Sequence, residues 1–262
     1  MPIWGVVNQK GGVGKTTTAV NLATGLAQMG HRILLIDSDA QGNATTGFGI
    51  EKASINATLF EVYSELVNNP DNNDAIFSAI IKGEKGMPDV VPATLDLAGA
   101  EAVLLNAVGK ELILRDALEK VKEQYDWIII DSPPSLGLIT INILAASDEL
   151  IVPMQAEFYA LEGLSHLIKT VDIVRRRINP SLRIGKVVLT MFDPRNRLSK
   201  QVAEEVERHF PGRVAKNAIP RNVRLGEAPG FGEPALTLFP DSKGAAAYRQ
   251  LVDEVITGCV VV

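Results

Sequence analysis

The sequence predicts a single α/β domain of the doubly wound type, a mostly parallel sheet flanked by helices. Three observations carry that expectation. Short, continuously apolar runs recur at Ile3–Val7, Ile33–Ile36, Trp127–Ile130, Leu150–Val152 and Val187–Leu189, as strands buried on both faces require. Stretches with apolar residues at helical spacing alternate with them. The sharpest polar motifs follow directly after apolar runs, at the carboxyl edge where an open parallel sheet binds its ligands.

Composition narrows the class. Of 262 residues, 46% are hydrophobic and 22% charged, enough to bury a sizeable core and too apolar for disorder. A single cysteine, Cys259, excludes a disulfide framework or a cysteine-ligated metal site within one chain. That fits a reducing cytoplasm. No apolar run approaches the roughly 18 residues of a membrane span, and the start lacks the basic and apolar regions of a signal peptide. The expectation is a soluble, cytoplasmic protein. Net charge is −5, yet Arg175 to Arg224 holds 13 Lys+Arg against 4 Asp+Glu. This basic segment, about 175–224, is either an anion-binding face or a set of separately solvated charges.

The first apolar run leads into Asn8-Gln9-Lys10-Gly11-Gly12-Val13-Gly14-Lys15-Thr16-Thr17-Thr18. A helical pattern follows from Ala19 to Met29, with Gly30 as its stop. Strand, glycine-rich turn and helix form the setting of a phosphate-binding loop. The glycines let several N–H groups point into one concavity, and the helix dipole adds positive potential there. Lys15 is then placed for the β- and γ-phosphates and the Thr16 hydroxyl for Mg²⁺. Gln9 stands where the common G-x-x-x-x-G-K-[ST] pattern has its first glycine, and a second lysine, Lys10, lies inside the loop.

The second run, His31 to Asp37, ends in Asp37-Ser38-Asp39-Ala40-Gln41-Gly42-Asn43. One of its two carboxylates can hold Mg²⁺ through water and the other can orient an attacking water. Thr58-Leu59-Phe60-Glu61 reads as a capping box opening a helix. Asn68 to Asn73 is a polar loop, Asp89–Pro92 a short strand, and Glu111 to Tyr125 a charged outer helix. Trp127-Ile128-Ile129-Ile130-Asp131 is the Walker B pattern, a core strand delivering a carboxylate toward Mg²⁺. Glu149–Met154 and Ile184–Met191 are two further strands, with a helix from Leu161 to Ile178 between them. Phe192 to Arg197 is an exposed turn, Ser199 to Phe210 a helix, and Tyr248 to Ile256 a closing helix before a short apolar tail. Arg195, Arg197, Arg221 and Arg224 sit in or beside loops, where guanidinium groups reach a phosphate backbone.

Together these motifs resemble the ParA/Soj family of partitioning ATPases, in the deviant Walker A group of P-loop NTPases that also contains MinD. The resemblance spans nearly the whole chain. It is carried by Lys10 to Thr17, Asp37 to Asn43, Val91-Pro92-Ala93-Thr94 through Glu101, Ile130 to Gly137, Thr190 to Arg195, and Ile219 to Pro229. It implies a weak ATPase that acts as a switch, an ATP–Mg²⁺-dependent homodimer in which Lys10 reaches the partner subunit's phosphates. Lys10, Lys15 and Asp39 are then the catalytic residues. Lys10, Gly11, Gly12, Val13, Gly14, Lys15, Thr16 and Thr17 hold the phosphates, while Pro220 and Asn222 lie against the adenine. Thr16, Asp37 and Asp131 serve Mg²⁺. Arg195 and Arg224 match positions that bind double-stranded DNA without sequence preference. The implied partners are a second copy, nucleoid DNA and a ParB-like stimulator, with no membrane. Ala40 departs from the family's usual proline and Gly230-Phe231 from its Ser-His. The chain opens directly on its first strand, so an operator-binding N-terminal extension is not expected. A MinD-like membrane regulator needs a basic amphipathic C-terminal helix, and Asp253 to Val262 holds no Lys or Arg. A metabolic P-loop ligase needs a substrate constellation, and none stands out.

Overall fold

The computed structural model describes residues 2–72, 74–157 and 160–259. Asn73, within the predicted polar loop, and the apolar tail at 260–262 lie outside them. Six strands form one sheet: β1 (Ile3–Val6), β2 (Ile33–Asp37), β3 (Asp89–Val91), β4 (Trp127–Asp131), β5 (Glu149–Gln155) and β6 (Arg183–Thr190). Their order is β3-β2-β4-β1-β5-β6, with every pair parallel. The chain leaves β1 toward β2 and β3, returns through β4, and then runs out the other way through β5 and β6. The order therefore reverses around β1, and the crevice beyond its carboxyl end is where such a sheet takes a ligand.

The helices are α1 (Lys15–Gln28), α2 (Asn43–Gly47), α3 (Leu59–Asn68), α4 (Ala75–Ser78), α5 (Ala100–Leu104), α6 (Ile113–Glu119), α7 (Leu138–Ala146), α8 (Ala160–Arg177), α9 (Arg197–His209), α10 (Val223–Glu227), α11 (Ala235–Leu238) and α12 (Lys243–Cys259). Two cores lie on the two sheet faces. Alternation along each strand assigns the residues: in β2, Leu34 and Ile36 face one core, Ile33 and Leu35 the other. The first core packs Tyr63, Leu104, Leu114, Ile143 and Leu167 from helices α3, α5, α6, α7 and α8. The second packs α1, α11 and α12 through Leu22, Leu26, Leu236, Tyr248 and Leu251. Trp4 and Trp127, the chain's two tryptophans, pack in this second core with ring centroids 4.2 Å apart and planes tilted by 56°.

Several predicted boundaries shift for physical reasons. Helix α1 begins at Lys15 rather than Ala19, so Thr16, Thr17 and Thr18 occupy its first turn. The helix expected over Glu111 to Tyr125 is only Ile113–Glu119, followed by a separate 3₁₀ turn at Lys122–Gln124. Its opening is fixed from afar, since the Leu114 N–H donates to Asn142 Oδ1 on α7 at 3.1 Å. Helix α7 itself goes unpredicted because it is apolar on nearly every side and has no polar stripe to reveal its period. The capping box is as expected: Phe60 N–H donates to Thr58 Oγ1 and Thr58 N–H to Glu61 Oε2 at 2.8 Å.

Gly25 lets α1 approach α12 closely. A Cβ there would lie 2.5 Å from Val252 Cγ2 and 3.3 Å from Leu236 Cδ1. Gly25→Val is therefore expected to cost about 1–3 kcal/mol by overpacking. Urea unfolding checks this, the midpoint falling at an unchanged slope.

Candidate phosphate and cation site

The loop after β1 curls back on itself through Gly12 (φ +73°) and Gly14 (φ +87°), conformations that a side chain would strain. Its carbonyls are pinned from the neighbouring strands. Gln155 Nε2 donates to Gly12 O at 2.9 Å, and Thr190 Oγ1 donates to Val13 O at 2.8 Å. Asn8 braces the loop's entry, accepting from Lys10 N–H and donating to Pro153 O. With α1 starting at Lys15, the N–H groups of its first turn open onto the same concavity.

The two loop lysines differ in setting. Lys15 is 6% exposed and its Nζ donates to Lys10 O at 3.2 Å, with no salt bridge of its own among the described residues. Burial lowers its ammonium below the ordinary lysine value, opposed by Asp131 and Asp39. A buried cation with one carbonyl partner is stabilised by an arriving anion. Lys10 instead points out from the loop, 40% exposed, with Nζ 2.7 Å from Glu157 Oε2. Gln9 also reaches across, donating to Gly163 O at 3.2 Å.

Sheet register brings the two predicted metal carboxylates together, since Asp37 and Asp131 are direct partners on β2 and β4. Both are fully buried. Asp37 Oδ2 accepts from Thr45 N–H (2.8 Å) and Thr45 Oγ1 (2.7 Å), and Oδ1 accepts from Asp39 N–H (3.2 Å). Burial nevertheless pushes its carboxyl up to about 6. For Asp131, burial and then the facing Asp37 raise the carboxyl well above the usual range, against the pull of Thr16 and Lys15. Neither Asp131 oxygen makes a well-formed hydrogen bond, the nearby Thr16 hydroxyl included. An orphaned buried carboxylate beside a second carboxylate and a threonine hydroxyl is the donor set a hard divalent cation takes, directly or through its water shell. The residues present fit Mg²⁺.

Removing that buried charge should stabilise the empty protein. Asp131→Asn replaces a carboxylate facing Asp37 by a neutral amide able to donate to it, and is expected to raise apo stability by about 1–3 kcal/mol at neutral pH. The carboxyl's folded-state value lies above its unfolded one. Its favourable protonated form is thus lost as pH rises through the folded value, and the gain from Asn should grow from pH 4 to pH 8. Thermal melts of both proteins across that range check it.

Asp39 lies in the turn beyond β2, half-buried, with Oδ1 accepting from Gln41 N–H at 3.0 Å. Pro220 and Asn222 are placed by the end of the sheet's last strand. The Phe192–Pro220 bridge and the Ile219 N–H bond to Leu189 O (2.8 Å) lay segment 219–222 beside the end of β6. Asn222 caps α10, its Oδ1 accepting from Arg224 N–H at 2.9 Å. A cavity of about 300 Å³ opens beside Thr16 and Thr17, lined also by Asn43, Thr46, Leu225 and Gly226, not by Pro220 or Asn222. Arg195 and Arg224 are exposed. Arg195 pairs bidentately with Asp193 at 3.0 Å, and Arg224 pairs with Glu227 at 2.7 Å while stacking over Phe239 at 4.8 Å. Gln155, Thr190 and Thr45 are absent from the sequence-level site. Each acts through a contact more than seven residues away, which local spacing does not signal.

The glycine loop on α1 and the carboxylate pair at the carboxyl edge of a parallel sheet define a P-loop nucleotide-binding domain, and the family model described as an AAA domain matches residues 1–184. The chain is 51% identical to the sporulation initiation inhibitor protein Soj of Bacillus subtilis, over 95% of this chain and 96% of that one. It is 47% identical to the chromosome partitioning protein ParA of Myxococcus xanthus, over 96% and 86%. The chromosome-partitioning ATPase Soj of Thermus thermophilus is 44% identical, over 96% and 94%. Among solved structures, cobyrinic acid a,c-diamide synthase from Mycobacterium smegmatis with an ATP analogue and magnesium superposes with a TM-score of 0.83 at 34% identity, over all of this chain and 96% of that one. The chain belongs to the ParA/Soj family of chromosome-partitioning proteins. Among the described residues no helix is long and apolar enough to cross a membrane.

Proposed function

We propose that this chain is a DNA-segregation switch whose ATP–Mg²⁺-bound form is a homodimer that grips double-stranded DNA without sequence preference. A ParB-like partner ends that state by stimulating slow hydrolysis. The observation that carries the reading is the division between the two loop lysines. Lys15 is buried within its own loop, whereas Lys10 stands outside it, half exposed and held only by a surface carboxylate. Such a surface ion pair contributes about 0–1 kcal/mol, so a neighbouring subunit's phosphates compete for Lys10 easily. A cation that acts across an interface couples dimerisation to the triphosphate and to its developing charge.

Lys15, the glycine-loop N–H groups, Thr16 and Thr17 bind the phosphates. Pro220 and Asn222 flank the adenine. Asp39 orients the attacking water, and Thr16, Asp37 and Asp131 hold the cation shell. Mg²⁺, when bound, neutralises charge on the β- and γ-phosphates. Arg195 and Arg224 supply the DNA contact. Arg195 lies in the turn after β6 and Arg224 in the first turn of α10, on segments that the Phe192–Pro220 bridge joins, and their surface ion pairs give way to phosphates at little cost.

The test is Arg195→Glu with Arg224→Glu. DNA retention with ATP should fall at least about tenfold, one order per 1.4 kcal/mol, while ATP-dependent dimerisation by light scattering stays intact. Wild-type retention should drop steeply with salt and ignore DNA sequence. Full DNA affinity in the double variant would remove these arginines from the role. A metabolic ligase reading draws on the likeness to the Mycobacterium smegmatis synthase. It requires turnover that depends on a small acid substrate and no ATP-dependent DNA retention.

A further inference from the structure

Thr45 is fully buried on the short helix α2 and makes three bonds to two separate parts of the fold, the end of β2 and the turn after β3. Its N–H and hydroxyl both meet Asp37 Oδ2, at 2.8 and 2.7 Å, and Ala93 N–H meets its Oγ1 at 3.0 Å. The proton directions follow from the partners. An amide N–H only donates, so the hydroxyl oxygen accepts from Ala93 and its single proton goes to Asp37. Oδ2 is thereby saturated by two donors. Oδ1 keeps only the longer bond from Asp39 N–H at 3.2 Å, and the facing Asp131 oxygens make none that is well formed.

From this arrangement we infer that Thr45 is a positioning residue: it locks the Asp37 carboxylate so that one oxygen is spent on the scaffold and the other is left for the divalent cation's shell. The inference rests on the proposed role of Asp37 and goes beyond it by naming what sets its rotamer. It also gives the Val91-Pro92-Ala93-Thr94 turn a task, because Ala93 supplies the backbone donor that orients the hydroxyl. That turn is fastened to the fold independently, Pro92 O accepting from Leu59 N–H at 2.9 Å. The carboxylate is thus referenced to α2 and to the end of β3 together. Outer partners of this kind typically change metal affinity about 10–100-fold when lost.

The experiment measures ATP binding by displacement of a fluorescent ATP analogue, titrating Mg²⁺ and repeating the measurement in EDTA. Thr45→Val keeps the shape and removes the hydroxyl. It is expected to raise the Mg²⁺ concentration for half-maximal binding about tenfold or more and to leave affinity in EDTA unchanged. Thr45→Ser keeps the hydroxyl and should stay within about threefold of wild type, about 0.7 kcal/mol. A folded Thr45→Val protein with the wild-type Mg²⁺ midpoint overturns the inference. If valine prevents folding, Thr45→Ala set against Thr45→Ser isolates the hydroxyl, and equal midpoints in those two overturn it instead. Asp37→Asn separates the two levels. An unchanged midpoint there removes Asp37 from the cation shell and the Thr45 role with it. A shift there with none in Thr45→Val removes Thr45 alone.

Discussion

Lys15→Ala is expected to abolish ATP binding at any practical concentration, a loss of at least about two orders of magnitude, or 2.7 kcal/mol. The estimate follows from the lysine's setting. Its ammonium is buried, has been drawn below its ordinary value by desolvation, and donates to a single carbonyl. The protein carries that burial cost in the empty state, and phosphate oxygens are the partners that relieve it. Because alanine removes a buried charge, the variant should fold as well as the parent. Equilibrium binding of a fluorescent ATP analogue, with melting temperature as control, checks both halves. Unchanged affinity would remove the glycine loop from the site.

Asp39→Ala is expected to separate binding from turnover. Single-turnover hydrolysis should fall about 10²–10⁴-fold, the usual contribution of a positioned base, with ATP affinity within about threefold, under 0.7 kcal/mol. Structure explains why binding survives. The Asp39 side chain accepts one local bond, from Gln41 N–H, and Asp37 keeps both bonds from Thr45 without it. The protein should then accumulate as an ATP-bound dimer that retains DNA, whereas ADP or no nucleotide should give none. Gel filtration with ATP and Mg²⁺ reads the dimer directly. A monomeric Asp39→Ala protein, or one with normal turnover, would defeat the switch reading.

The elements legible in the sequence are those whose cause is local. Buried strands announce themselves as apolar runs, and Thr58 with Glu61 announces a helix start because both halves of its cap lie within four residues. Glycines at 12 and 14 reveal the phosphate loop because a left-handed backbone selects them. What stayed hidden depends on residues far apart in the chain. Strand order decides that Asp37 faces Asp131 across 94 positions, and no pattern near either residue encodes that meeting. Helix α6 opens where its first turn leans on Asn142, and α7 is apolar nearly all round. Thr45 reads as an ordinary polar residue after a turn until the fold brings Asp37 and Ala93 to it.

The paired tryptophans have a practical consequence. Trp4 precedes the glycine loop on β1, and Trp127 opens β4 at the end away from Asp131. Both indoles therefore sit short of the carboxyl edge, Trp127 at the opening of β4 and Trp4 level with Ile129, in the core that α1 and α12 cover. Intrinsic emission should be a gauge of whether the molecule is folded, silent to whatever occupies that edge.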